Sequence, residues 1–373
     1  MKLRLFDHAA RSAPRRVLLT RLSAIGDCIL TLPLAVRVKQ LWPDCQLTWL
    51  VDCAAASLLE EHPAVDEVLR IEKRWLAAPR RWSALGRELQ SRQFDLSLDP
   101  QGLTKSSLLG WLSRAKIRVG FDYSHARELA PLLATHRRSR TARHMVDSYL
   151  QLLDGWCETP LGSGEFQMPV YPQAAQRVEQ LLGELQLDAR SGRPVGHSNT
   201  GWVAINVGAG WPSKLWPPER FGWIAAQLWQ RYQFRSLVLW AGDSEQALAE
   251  QVAAHAEGAA RVAPATDLRE LVEIIRRCDM LISGDTAALQ LASAVSAPCV
   301  GLFGPTWADE CGPYGNRHIA IQSTVLPDHR RGIRRSSSSS MHAIEISEVL
   351  RACNQLMTAA RWGGYARNIS SAA

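Results

Sequence analysis

Asp27 closes the segment Arg21-Leu-Ser-Ala-Ile-Gly-Asp27, where Gly26 permits a tight turn from a short apolar run into a helical pattern. A carboxylate at that place can cap the helix, worth about 1 kcal/mol. It can also face a cleft as a general base, its ionised form favoured by the helix N-terminus. Asp99-Pro-Gln-Gly-Leu-Thr-Lys105 follows another strand-like run. There Gln101 and Lys105 offer donors to an acidic ligand and Gly102 allows close approach, and the plain alternative is a loop with a solvated lysine. Lys73, Arg74 and Arg127 add positive charge in loop-like stretches of the same half. Taken singly, each is an ordinary surface charge.

The second half carries a different chemistry. In Val207-Gly-Ala-Gly-Trp-Pro-Ser-Lys214, Gly208 and Gly210 let backbone N–H groups approach an anion, and Lys214 supplies a charge. The segment is not a P-loop, and Ser213 stands where a dinucleotide fingerprint needs its third glycine. Trp240-Ala-Gly-Asp-Ser-Glu245 offers Asp243 and Glu245 to ribose hydroxyls, or to the cap of a helix. In Ser283-Gly-Asp-Thr286, Gly284, Asp285 and Thr286 open a helix whose N–H groups and threonine hydroxyl converge on an anion site. Two phosphate-suited turns in one half point to a diphosphate.

These turns need strands before them and helices after them, and the chain supplies both twice. Strand-like runs at 16–20, 46–51, 67–71 and 96–98 alternate with helical patterns at 27–41, 54–62, 75–92 and 142–154. The polar stretch Asp188–Thr200 is the expected linker. The alternation then restarts with strands at 202–207, 236–240, 280–283 and 299–302 and helices at 219–232, 245–255, 268–278 and 287–295. Such alternation predicts parallel sheets covered on both faces, with ligands at their carboxyl edges. The low-complexity Arg334–Ser340 is expected to be a loop, with a last helix near 347–360 and a disordered tail.

Length and composition agree with two soluble domains: 373 residues, 46% apolar and 21% charged. The net charge of +7 suits an anionic ligand or membrane surface and is too small to indicate nucleic acid. Eight scattered cysteines form no C-x-x-C pair, so neither a zinc site nor a redox pair is expected. No apolar run approaches the roughly 20 residues of a membrane span, so the expectation is a cytosolic protein, resting at most on a membrane. The basic run His136–His144 reads as a solvated face able to touch anionic head groups.

Together the motifs resemble the lipopolysaccharide heptosyltransferase family, glycosyltransferase family 9, over about residues 16–350. The likeness rests on Arg21–Pro33, Phe94–Ser106, Pro212-Ser-Lys-Leu-Trp-Pro217, Gly284-Asp-Thr286, Leu302-Phe-Gly-Pro-Thr306 and Gly312-Pro-Tyr-Gly315. Lys73-Arg-Trp75 and Ala126-Arg-Glu128 look most like the heptosyltransferase I branch, which adds the first heptose to the Kdo region. The resemblance implies a GT-B-type α/β fold of two facing Rossmann-like domains with a cleft between them. Residues 1–187 would bind acceptor and 201–346 a nucleotide sugar, with 347–373 packing back on the N-terminal domain. It implies Asp27 as catalytic base and Lys214 on the donor phosphates. Asp243 would meet the ribose, with Glu245 a close competitor, and Asp285 and Thr286 the diphosphate. Lys73, Arg74, Gln101, Lys105 and Arg127 would hold an acidic acceptor such as Kdo-lipid A at the inner face of the cytoplasmic membrane. An ADP-sugar would be the donor and no metal is expected.

The family pattern Asp-Thr-Gly-x-x-His departs here, where Ala287 and Gln290 hold the last two places. Gln290 keeps a hydrogen-bond donor without a charge. These departures leave open a non-catalytic nucleotide-sugar-binding protein or a member with another donor. The Rossmann grammar also admits an NAD-dependent oxidoreductase, against which the missing glycine fingerprint argues.

Overall fold

Leucine- and valine-rich runs, each ended by a turn and followed by a helix, build strands buried on both faces. The computed structural model describes residues 13–72, 75–77, 79–156, 163–187, 201–326 and 337–370. The first sheet comprises β1 (Arg16–Thr20), β2 (Gln46–Val51), β3 (Glu67–Arg70), β4 (Leu96–Asp99), β5 (Ile117–Phe121) and β6 (His136–Arg138). Its order is β3-β2-β1-β4-β5-β6, parallel throughout, with Val17 opposite both Leu47 and Leu96. Its helices are α1 (Ile25–Leu41), α2 (Ala56–Leu59), α3 (Pro79–Ser91), α4 (Thr104–Leu112), α5 (Ala130–Leu133) and α6 (Met145–Leu150). Leu18, Leu19, Leu47, Trp49 and Leu50 are fully buried, each such side chain contributing about 1.5–3 kcal/mol.

The second unit opens with α7 (Pro172–Glu184) and repeats the plan with β7 (Gly201–Asn206), α8 (Pro218–Tyr232), β8 (Phe234–Leu239), α9 (Asp243–Ala254) and β9 (Ala260–Val262). It continues through α10 (Leu268–Arg277), β10 (Met280–Gly284), α11 (Ala287–Ala294), β11 (Cys299–Phe303), α12 (Ala308–Cys311) and β12 (His318–Gln322). The order β12-β11-β10-β7-β8-β9 is the first sheet's order repeated. In each, the crossover direction reverses beside the first strand, at β1/β4 and at β7/β10. Ligands bind at such switch points in doubly wound folds. The turns after β1, β4, β7 and β10 carry most of the residues singled out in the sequence.

The structure differs from expectation in four places. The two compact units meet at Pro169/Val170, ahead of the linker expected at 188–200, which lies outside the described residues. The reason is α7: it packs on α10, Tyr171 N–H donates to the buried Glu273 carboxylate at 3.0 Å, and Arg177 pairs with Glu270 at 2.9 Å. The final helix, α14 (Ile346–Ser370), falls within the second unit. Val349, Leu350, Cys353 and Met357 are instead buried in the second unit's core with Phe221 and Ile224. In the low-complexity segment Ser339–His342 forms a helical turn, α13, with Met341 buried against Gly304. Finally, His136–Arg138 is the edge strand of its sheet, where charged residues discourage further pairing.

Candidate active site

At the first switch point Asp27 occupies the third position of α1. Its Oδ2 pairs with Arg21 at 2.7 Å and accepts the Ala24 N–H at 3.3 Å. Both contacts use Oδ2, which leaves Oδ1 without a hydrogen bond from the described residues, in a side chain 36% exposed. Arg21 is buried beneath it, donating to the Pro100 carbonyl at 3.3 Å and lying over the Tyr149 ring at 5.4 Å. Burial alone would lower its pKa, but Asp27 holds the guanidinium above its ordinary value. The same burial pushes the Tyr149 hydroxyl up. Neither Arg21 nor Tyr149 was singled out as a site residue from sequence. Arg21 lies within the first motif, while Tyr149 carried no signal.

The turn after β4 is tied to this one. Asp99 is buried and accepts the N–H groups of Gln101 and Gly102, each at 3.1 Å, and the Ser107 hydroxyl. Burial pushes its carboxyl up against those bonds. Gln101, expected to touch acceptor, accepts the Leu22 N–H at 2.8 Å through its Oε1 and so fastens the two turns together. Gly102 has φ +62°, and its carbonyl accepts the Arg127 N–H at 2.9 Å, which brings the exposed Arg127 beside the turn. Lys105, at the start of α4, lies 3.5 Å from the buried Asp52 at the end of β2. Asp27, Gln101, Lys105 and Arg127 thus gather on one sheet edge. Lys73 and Arg74 lie outside the described residues.

In the second unit Lys214 is 7% exposed and ion-paired with Asp285. Its Nζ also lies 3.4 Å from the Asp285 carbonyl and 3.9 Å from the centre of the Trp211 ring. The β7 and β10 turns are therefore clamped by one cation. Asn206, at the end of β7, donates to Ser283 and Thr286 hydroxyls at 3.3 Å each, and those hydroxyls are 2.9 Å apart. Thr286 is the N-cap residue of α11 by backbone, and its hydroxyl is spent on this cluster. Gly284 and Ser213 sit within the same packed turns, while Gly210 has open space around its Cα.

Of the two acids after β8, Glu245 is the one brought to the phosphate turn. A Cβ at Gly208 would overlap its carboxylate, and it accepts the Ala241 N–H at 2.8 Å. Burial raises its pKa against the Ala241 and Ala209 amides. Asp243 is exposed on the first turn of α9. Gln290 is buried, and its Nε2 donates to the Cys311 carbonyl at 2.7 Å, so it braces α11 against the α12 turn. Its Oε1 is buried without a partner. No group of three His, Cys, Asp or Glu suited to a metal occurs among the described residues.

The arrangement is a carboxylate with one open oxygen beside basic groups on one edge, and a cation-clamped pair of turns on the other unit's edge. The family model described as glycosyltransferase family 9 (heptosyltransferase) matches residues 82–338. Lipopolysaccharide heptosyltransferase 1 of Pseudomonas aeruginosa is 30% identical over 322 residues, covering 83% of this chain and 84% of that protein. Among solved structures, the family 9 glycosyl transferase of Veillonella parvula superposes with a TM-score of 0.74 at 20% identity, covering 92% of this chain and 97% of that one. The E. coli heptosyltransferase WaaC with ADP gives 0.70 at 22% identity, covering 92% and 99%. The fold is GT-B.

Proposed function

The chain belongs to glycosyltransferase family 9, the heptosyltransferases, and from that premise we propose that it moves a heptose from an ADP-sugar to an acidic inner-core acceptor of lipopolysaccharide, with inversion. In this reading Asp27 Oδ1 takes the proton of the acceptor hydroxyl as its oxygen attacks the anomeric carbon. The bond from that carbon to the diphosphate breaks, and ADP leaves with the electron pair. Lys214 and the N–H groups opening α11 meet the charge that develops on the diphosphate. Glu245 is better placed than Asp243 to hold the ribose, because it lies against the Gly208 turn. Lys105 and Arg127, together with Lys73 and Arg74, receive the acceptor's carboxylates and phosphates. No metal is assigned a role, and the protein works in the cytoplasm at the inner membrane face.

The observation that carries this reading is the one-sided engagement of Asp27: Oδ2 is held by Arg21 and Ala24 while Oδ1 is left to the substrate. Offering ADP-heptose, GDP-mannose and UDP-GlcNAc side by side with a Kdo-lipid A acceptor tests it. Transfer from ADP-heptose alone, unchanged by a chelator, is expected. Preference for another donor, or binding of ADP-heptose with no turnover, would overturn it.

A further inference from the structure

The proposed reaction leaves unexplained where the protein keeps its positive charge. Residues 105–143 hold nine Lys and Arg against two acids, Asp122 and Glu128, a surplus equal to the +7 of the whole chain. The remainder is balanced. That stretch forms one side of the first unit: α4 packs beside α5, the Leu129 N–H donates to Thr104 Oγ1 at 3.1 Å, and β5 pairs with the edge strand β6. Nine large apolar side chains are exposed among the described residues, and four belong here: Trp111 at 50%, Tyr123 and Leu132 at 61%, and Leu129 at 58%. Arg114, Lys116, Arg127, Arg137 and Arg143 are exposed in the same stretch. The Arg137 guanidinium covers the Tyr123 ring at 5.1 Å. Arg114 and Lys116 carry the basic surface into a cleft of about 660 Å³ that Arg15 and Arg16 also line. Of the two acids, Asp122 is occupied by the Ser124 and Ser139 hydroxyls.

We propose that this α4–α5–β6 side is a docking face for an anionic phospholipid bilayer. Basic groups around exposed tryptophan, tyrosine and leucine match a headgroup layer, where rings and aliphatic tips enter the interface and arginines meet lipid phosphate. Aliphatic tips have no counterpart in a nucleic-acid backbone, which favours the lipid surface over a polynucleotide. No helix among the described residues is long and apolar enough to cross a membrane, so the contact is one of surface adhesion. The inference rests on the lipid-anchored acceptor proposed above and deepens it. Through the Arg127 N–H bond to Gly102, the face runs directly into the β4 turn of the acceptor edge.

Co-sedimentation of the full chain with vesicles of phosphatidylcholine, with and without phosphatidylglycerol, tests the proposal. Binding is expected only with the anionic lipid, and added salt should weaken it. The double variant Arg114→Glu/Lys116→Glu should lose about tenfold or more in vesicle affinity, and Trp111→Ser/Leu132→Ser should lose affinity at low salt as well. Arg231→Glu/Arg261→Glu, the same charge change on the second unit, should bind like wild type. Both docking variants should keep wild-type turnover on a water-soluble deacylated acceptor, which also shows that they fold. Unaltered vesicle binding by both docking variants, equal loss in the control pair, or binding to duplex DNA with none to vesicles overturns the docking face. Absent transfer to the soluble acceptor with vesicle binding intact would instead sink the proposed reaction and leave the face standing.

Discussion

Arg21 and Asp27 show how a residue's role depends on which of its atoms are already engaged. Asp27→Asn keeps the side chain's shape and its reach to the Ala24 N–H but removes the proton acceptor. Transfer is expected to fall by about 10²–10⁴-fold, with ADP binding by calorimetry unchanged. Turnover at the wild-type level would return Asp27 to a helix-capping role. Lys214→Ala tests the donor side. A charge-assisted hydrogen bond is worth about 1.5–3 kcal/mol, so ADP should bind ten- to a hundredfold more weakly and adenosine as before. Equal losses for the two ligands would assign Lys214 to clamping the turns through Asp285. Asp27 and Lys214 were legible in sequence because each follows a strand and a glycine. Tyr149, distant in sequence, reaches the same edge only through α6.

Elements position these groups through their ends, and the edge strands set limits on stability. His318 begins β12 at the rim of the second sheet, its Nδ1 3.3 Å from the Cys299 sulfur. Burial lowers its pKa to about 4 from an ordinary 6.5. The unfolded chain then binds more protons than the native one between those values. Stability is therefore full above about pH 6.5 and falls as the pH drops toward 4. Urea midpoints across this window should fall less steeply for His318→Gln than for wild type, with His62, also depressed by burial, keeping part of the slope. Parallel curves for the two proteins would show that His318 titrates as it does in the unfolded chain. The strands at 117–121, 136–138, 260–262 and 318–322 were not anticipated. Several are short or carry charge at sheet edges, where one side of the ladder is unpaired and the apolar signal fades.

The whole molecule divides where packing divides it. A fragment of residues 170–373 contains the second sheet, its core and every residue proposed to meet the donor, so it should fold and bind ADP like the full chain. A fragment beginning at 201 loses α7 and its buried Tyr171, Val178 and Leu182. At about 1.5–3 kcal/mol for each large side chain, it should be several kcal/mol less stable by urea melting. Equal stability of the two fragments would show that α7 adds nothing to the second unit. The sequence alone suggested the later cut, because glycine, proline and polar residues concentrate at 188–200.

From the sequence alone follow the repeated strand–turn–helix grammar, the two parallel sheets and the turns that carry Asp27, Lys214 and Asp285, because each is a local pattern of a few residues. The family follows as well, since its motifs stand in order along nearly the whole chain. Tertiary structure decided what depends on distant partners. Gln101 is taken up by Leu22, Glu245 rather than Asp243 lies on Gly208, and Gln290 braces the Cys311 turn. It also decided that α7 and α14 belong to the second unit. Linear spacing encodes which way a chain turns, whereas which buried polar atoms meet is set only when separate elements pack and each must find a partner out of water.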